Sequence, residues 1–409
     1  MAEMVMVMPG TVWQIPLIKR LKQRGYKVAV VHPYREAPAF EYADEIVYLD
    51  ILDRETVLAA AKRLNVVAVM SDECDIATPT LAYVSSRLGL PSQTEPMALL
   101  YTDKSKMRDF CRDHQLPCPE YRVCESIEEA VAFFKEMECP NDGGHKMVIK
   151  PIDANSSRGV FTIDAEKQLR ALFDVSIGFS HHRHAVICER FISGSEFSVD
   201  GIKMPDGHVS LAISEKEQCE YNRNLDNYLY FSYSNPKYDY DRLRQINNQF
   251  VDMSGLPFGF THAEYRYENG EFYLLEIGAR GGGNLISSHV VPAMTGIDNY
   301  GLLIDMFVGK EVKEKISQAQ LRTEKVAVIK IFDTTETGGI VRSIKGTDFL
   351  DSREDVLCWQ LNFKEGDEIH RPTDGGNRIG FYVACTENRK AMENLQHEID
   401  ERFVIEYEQ

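Results

Sequence analysis

The chain is expected to combine an α/β domain on a parallel sheet with an α+β portion built on antiparallel strands and a small α+β subdomain at the end. Three observations predict this. Short apolar runs alternate with amphipathic helical stretches over the first hundred residues. The rhythm changes near residue 97 to strands with long connections, two of them separated by Asn269-Gly270. From about residue 324 a tail of two strands and a closing helix reads as a separate, smaller unit.

Within the first part, residues 4–8 form an apolar run closed by Pro9-Gly10, and residues 13–24 a helix that Gly25 ends. Strands follow at 27–31, 45–49 and 66–70, with a helix at 54–64. Such a sheet binds ligands beyond the carboxyl ends of its strands, which here carry Pro9-Gly10-Thr11, His32-Pro33-Tyr34 and Ser71-Asp72-Glu73. Gly10 stands alone, so a G-x-G-x-x-G dinucleotide turn is not supported. Helices are then expected at 104–114 and 126–137, the second capped by Ser126. Strands are expected at 147–150, 186–191, 196–203, 208–215, 260–268 and 272–277, then at 327–332 and 378–386 before a helix at 389–402. The divisions fall at 1–96, 97–190, 191–320 and 321–409.

Composition narrows the function. At 409 residues, 44% hydrophobic and 27% charged, the chain is long enough for several packed units and has ordinary globular chemistry. A net charge of -17 argues against nucleic acid as a partner, whereas a small anion can still be held by a local cluster of cations and magnesium. Nine cysteines without a C-x-x-C pair read as reduced thiols of a cytoplasmic protein. The N-terminal apolar run lacks a basic n-region and is read as a strand, not a signal peptide. No apolar stretch approaches the roughly 20 residues of a membrane span.

Four clusters carry candidate chemistry. Lys150 closes an apolar strand and precedes Asn155-Ser156-Ser157-Arg158-Gly159, a turn of small residues whose N–H groups could approach phosphate, or an ordinary exposed hairpin turn. Glu189 and Glu196 flank a bend at Gly194, with Arg190, Phe191 and Ile192 between them. This suits a strand that meets an adenine edge while one carboxylate accepts from ribose hydroxyls, or a strand–turn–strand with exposed acids. Glu264 is the sixth residue before Gly270 and Glu276 the sixth after it, so register sets two carboxylates face to face. They repel unless a cation lies between them, unless both sit on a solvated edge hairpin. Finally, Gly278-Ala279-Arg280-Gly281-Gly282-Gly283-Asn284 with Ser287 and His289 is a turn whose backbone could approach reacting groups while Arg280 clamps an oxyanion.

In this order the clusters resemble the ATP-grasp superfamily of ADP-forming ligases, over the stretch from the N-terminal parallel domain to about residue 310. The resemblance implies a pre-ATP domain at 1–96, two ATP-grasp subdomains at 97–190 and 191–320, and a C-terminal subdomain at 321–409. It implies that Lys104 and Lys150 hold ATP phosphates, that Ser156, Ser157 and Gly159 belong to the phosphate loop, and that Glu189 through Ile192 and Glu196 hold adenine and ribose. Glu264 and Glu276 match the acids that bind magnesium or manganese. Gly278 departs from the pattern, since many members place Asn there as a further metal ligand. His262, Arg280 and the tail Arg378-Ile379-Gly380-Phe381 are similar to the L-amino acid ligase branch, which implies substrate contacts from His262, Arg280, Gly282, Asn284, Ser287 and His289. The implied activity joins a small carboxylate to an amine through an acyl phosphate, with Arg280 and Lys150 catalytic, without nucleic-acid or membrane partners, and with a homodimer as the common assembly. Two alternatives stand beside it: a bicarbonate-using carboxylase of the purine type, and an ATP-binding regulatory protein without turnover. Residues 215–241, with Tyr221, Tyr228, Tyr230, Phe231 and Tyr233, are read as a lid over the reactive intermediate, or as a surface insertion or subunit contact.

Overall fold

The computed structural model describes residues 2–137, 146–154, 157–180, 183–334, 336–373 and 377–408, the side chains of 222–224 excepted. The first unit contains β1 (Met4–Val7), α1 (Ile15–Gln23), β2 (Lys27–Val31), β3 (Glu45–Val47), α2 (Arg54–Leu64), β4 (Ala68–Met70) and α3 (Thr78–Leu88). Its strands lie in the order β3-β2-β1-β4, all parallel. Val5, Val28, Val30 and Val69 are fully buried, as expected where helices cover both faces. Asp53 caps α2 by accepting from the Thr56 N–H, and Asn65 closes it in the left-handed region.

Two short helices, α4 (Glu95–Leu100) and α5 (Lys104–Asp113), lead into β5 (Tyr121–Cys124), α6 (Ile127–Glu136), β6 (Met147–Pro151), β7 (Phe161–Ile163), α7 (Glu166–Ile177) and β8 (Val186–Arg190). The strands form an antiparallel sheet, β5-β8-β6-β7, covered by Phe133 and Phe134 of α6 and Leu169 and Phe173 of α7. The sequence reading passes over α7 and β7, whose apolar residues are spaced for a helix between two polar stretches.

The rest of the chain centres on one large sheet. It comprises β9 (Glu196–Met204), β10 (Gly207–Cys219), β11 (Asn222–Ser232), α8 (Tyr240–Ser254), β12 (Gly259–Glu268), β13 (Glu271–Gly278), α9 (Val291–Thr295), α10 (Asn299–Phe307), β14 (Val326–Ile331), β15 (Gly339–Lys345), α11 (Thr347–Ser352), β16 (Val356–Leu361), β17 (Glu368–Ile369), β18 (Gly380–Thr386), α12 (Arg389–Arg402) and β19 (Val404–Tyr407). Eight strands run antiparallel in the order β13-β12-β9-β10-β11-β14-β18-β16. One face packs on the first unit, where Ile202, Phe231, Ile329 and Val383 share a core with Val5, Val7 and Leu17. The other carries α8, with Leu243 and Phe250 among Phe197, Tyr265 and Phe272.

Two expectations change here. Residues 215–241 are not a lid. Most of them form the end of β10 and the whole of β11, and β11 is bonded on one side to β10 and on the other to β14, so opening would break two ladders. The tail is also less separate than its sequence suggests: β14, β18 and β16 extend the large sheet, and only β17-β15-β19 form a sheet of their own.

The imidazole of His208 on β10 is buried, with Nδ1 2.7 Å from Asn248 Oδ1 and Nε2 2.7 Å from Thr261 Oγ1. Burial lowers its pKa to about 4. The depressed value means that this neutral ring contributes fully above about pH 6.5, and its contribution is lost as pH falls from there through 4. Chemical denaturation of the wild type and His208→Gln at pH 7 and pH 4 is expected to show their stability difference shrinking by about 3 kcal/mol on acidification.

Candidate functional site

Strands β12 and β13 meet at the predicted turn, with Asn269 at φ 52° and Gly270 at φ 91°, and Glu268 pairs with Glu271. Continued without interruption, that turn would set Leu275 across from Glu264. Instead a bulge beside Tyr265 inserts Leu275 as an extra residue, and Glu264 faces Glu276. The count centred on Gly270 therefore reached the right partner through an irregularity it did not include. Arg108 Nη2 donates to the carbonyl of the inserted Leu275 at 2.6 Å.

A buried lysine meets each acid. Lys104 Nζ lies 3.0 Å from Glu276 Oε1 and donates to the Ala154 carbonyl at 2.7 Å. Lys216 Nζ lies 2.6 Å from Glu264, 3.2 Å from Glu196 and 3.2 Å from Asp226. Burial disfavours the charged Lys216, but the three carboxylates outweigh it and raise its pKa well above the usual value. Burial likewise opposes the Glu264 anion, yet Lys216 and His262 hold its carboxyl well below the ordinary range.

Glu189, 1% exposed, lies between Arg108 at 2.8 Å and Lys150 at 2.6 Å, so its carboxylate is enclosed by two cations. The hinge beyond it is clamped to β12. Glu268 accepts from Arg190 Nη1 at 2.7 Å and from the N–H and hydroxyl of Ser193 at 2.9 Å. Arg266 reaches Glu196 with Nε and Nη2 at 3.1 and 3.0 Å, and the Ile192 carbonyl with Nη1 at 3.0 Å. The Phe191 ring has Lys146 4.1 Å and Arg266 5.4 Å from its centre. The bend must be glycine, because a Cβ on Gly194 would lie 1.5 Å from the Tyr267 carbonyl oxygen. Ser156 lies outside the described residues; Ser157 is exposed with φ 57°, and buried Gly159 accepts from Ser176 Oγ at 2.7 Å.

The segment after β4 reaches across from the first unit, at the strand end where the sequence reading expects a ligand. Asp72 accepts from the Gly281 N–H at 2.9 Å and from Tyr300 Oη at 2.6 Å, and burial pushes its pKa up to about 6. Glu73 accepts from the Leu285 N–H at 3.3 Å. Asp75 takes Arg280 Nε and Nη2 at 2.8 and 2.7 Å, a two-point ion pair between separate units. On β9, Asp200 accepts from the Gly282 N–H at 2.9 Å and lies 3.0 Å from His262 Nδ1. Burial alone would discharge His262, but Asp200 and Glu264 raise its pKa to about 9, so it is an imidazolium at neutral pH.

These contacts redefine the Gly-rich turn. The Gly281 and Gly282 N–H groups, expected to face an oxyanion, are donated to Asp72 and Asp200. Asn284 and Leu285 are held at positive φ, 61° and 65°. Ser287 is buried beneath the turn, with its carbonyl accepting from Asn299, and His289 bonds to Ser288, so neither joins the carboxylate cluster. Beside Glu276 and Asp75 a cavity of about 730 Å³ opens between the first unit and the loop carrying Ala154.

The model of the ATP-grasp domain matches residues 144–289. The chain carries an ATP-grasp domain. It is followed by a match to L-amino acid ligase C-terminal domain 2 over residues 331–408. Among relatives, the carbamoyl phosphate synthase large chain of Clostridium acetobutylicum is 21% identical over 375 residues, 87% of this chain and 34% of that protein, so the chain spans about a third of its length. The L-amino acid ligase of Bacillus licheniformis superposes with a TM-score of 0.81 at 18% identity, covering 100% of this chain and 99% of that one. Phosphoribosylglycinamide synthetase of Anaerococcus prevotii superposes with a TM-score of 0.77 at 18% identity over the whole of both chains. At that identity the two structures establish the fold.

Several residues of this charge cluster escape the sequence reading. Arg108 could have been found, since it lies one helical turn after Lys104 on the buried face of α5 with Met107 and Cys111. Lys216, Asp75 and Asp200 gave no comparable local signal, because their partners are distant in sequence. Gly278, the departure from the ATP-grasp pattern, has a steric reason: a Cβ there would lie 2.6 Å from Asp75 Oδ1. Among the described residues no three His, Cys, Asp or Glu side chains form a ready cation cage. Two facing carboxylates fit magnesium, which commonly uses one or two protein carboxylates and completes its shell with water and phosphate oxygens.

Gly278→Ala is expected to lose roughly 1–3 kcal/mol by overpacking against Asp75. In urea melts the double variant with Asp75→Gly should be less destabilised than the sum of the two single changes.

Proposed function

We propose that the chain is an ATP-dependent ligase that activates a carboxylate and joins it to an amine, with release of ADP and phosphate. The observation that carries this reading is the facing pair Glu264 and Glu276, met by the buried Lys216 and Lys104, with Lys150 on the neighbouring Glu189. MgATP supplies the phosphoryl group that turns a carboxylate into an acyl phosphate, which an amine then opens.

The side chains divide the work. Glu264 and Glu276 are the oxygen ligands for the metal; the lysines that neutralise them in this state are cations ready to face phosphate oxygens once a metal takes over the acids. Lys104 and Lys150 hold the phosphate end, and the hinge from Arg190 to Glu196, fixed by Glu268 and Arg266, holds the nucleoside. Arg280 is the group that meets the substrate carboxylate, and Asp75 sets the direction of its guanidinium. His262 keeps a positive charge beside Glu264, favouring anionic oxygens at the reacting centre. The likeness to the L-amino acid ligase fold and the C-terminal domain match support amino acids as the substrate class.

Glu276→Gln removes one metal oxygen at nearly constant volume. With amino-acid pairs and MgATP, ADP release is expected to fall by roughly 10²–10³-fold or more, with the thermal midpoint little changed. ADP formation at the wild-type rate would refute the metal assignment.

A further inference from the structure

The cavity beside Glu276 has two kinds of wall. Glu276 and Asp75 mark its reactive end, and Asp75 there carries Arg280 in its two-point pair. The first unit contributes Leu52, Ile76 and Pro79, and α4 contributes Pro96 and Leu99, with the ion-paired Arg54 and Glu95 beside them. Leu52, Ile76 and Leu99 are 55%, 39% and 40% exposed, so three large apolar side chains from three separate segments are left open on one cavity. Convergent apolar side chains that the protein does not cover mark a surface completed by a ligand.

Size and charge narrow that ligand. A volume of about 730 Å³ falls within the range of sites for organic molecules, and a one-carbon acid such as bicarbonate would leave most of it, and all of the apolar wall, unused. At the reactive end Asp75 and Glu276 put carboxylate oxygens on the cavity, a complement to the ammonium of an amino acid. We propose that the cavity takes an amino acid with a large branched or aromatic side chain. Its ammonium lies by Asp75 and Glu276, and its side chain lies on Leu52, Ile76, Pro79, Pro96 and Leu99. The proposal rests on the ligase reading for its chemistry and names the substrate of that site.

The test is the ADP-release rate of the full chain with MgATP over glycine, alanine, valine, leucine and phenylalanine, each offered with the others. The series should rise in kcat/KM by tenfold or more from the smallest to the larger side chains, the scale on which an apolar pocket discriminates. Leu99→Trp, which fills the cavity from an exposed position, should lower the ratio of kcat/KM for phenylalanine to that for alanine about tenfold. Leu52→Trp is the second filling variant should the first fail to fold. A flat series, or an unchanged ratio in a folded variant, overturns the proposal. If no pair releases ADP, the ligase reading fails, and the cavity is then judged by calorimetric titration of leucine and phenylalanine in the presence of MgADP. Binding to wild type that weakens about tenfold in the tryptophan variant supports the cavity assignment, and no binding to wild type overturns it.

Discussion

Everything at this site depends on the pairing of acids, Glu189 buried and the others half-buried, with cations that come from other parts of the chain. Glu276 has Lys104, Glu264 has Lys216, Glu189 has Lys150 and Arg108, and Asp75 has Arg280. Carboxylates this close together cannot remain ionised in a poorly hydrated interior without such partners. The pairs join elements far apart in sequence: α5 to β13, β10 to β12, and the loop after β4 to the turn after β13. Removing one partner leaves an uncompensated charge, so the arrangement fixes the relative placement of the units as well as the local chemistry.

The same pairing accounts for the unusual backbone around it. The bulge at Leu275 turns Glu276 toward Glu264, and its displaced carbonyl is satisfied by Arg108, which also neutralises Glu189. Gly194 allows the hinge to lie on Tyr267, and Gly278 leaves room for the Asp75 carboxylate. Each is a local departure from regular geometry whose reason is a polar group that must be placed.

Much of this was legible in the sequence where the signal is local. The alternating strands of the first unit and the Asn-Gly hairpin follow from spacing alone, the two facing acids needed a bulge that spacing did not show, and the order of the motifs indicated ATP-grasp architecture. The readings that failed did so for one physical reason. Residues 216–219 and 226–232 look like a polar loop because Lys216 and Asp226, bonded to each other in the charge cluster, stand where apolar residues would mark a strand. A functional surface thus hides the secondary structure that carries it. Asp75, Asp200 and Lys216 could not be recognised because their meaning resides in partners that only the tertiary fold supplies.

The extension of the large sheet into the tail has a practical meaning. Arg378 reaches the Asp226 carbonyl, Asp226 reaches Lys216, and β14 covers the outer edge of β11. A shortened chain ending near residue 320 would retain Glu264 and Glu276 yet expose a row of unsatisfied backbone groups along β11, inviting strand-to-strand aggregation. The part of the chain that carries the facing acids is therefore not a detachable module, and the tail serves as its selvedge.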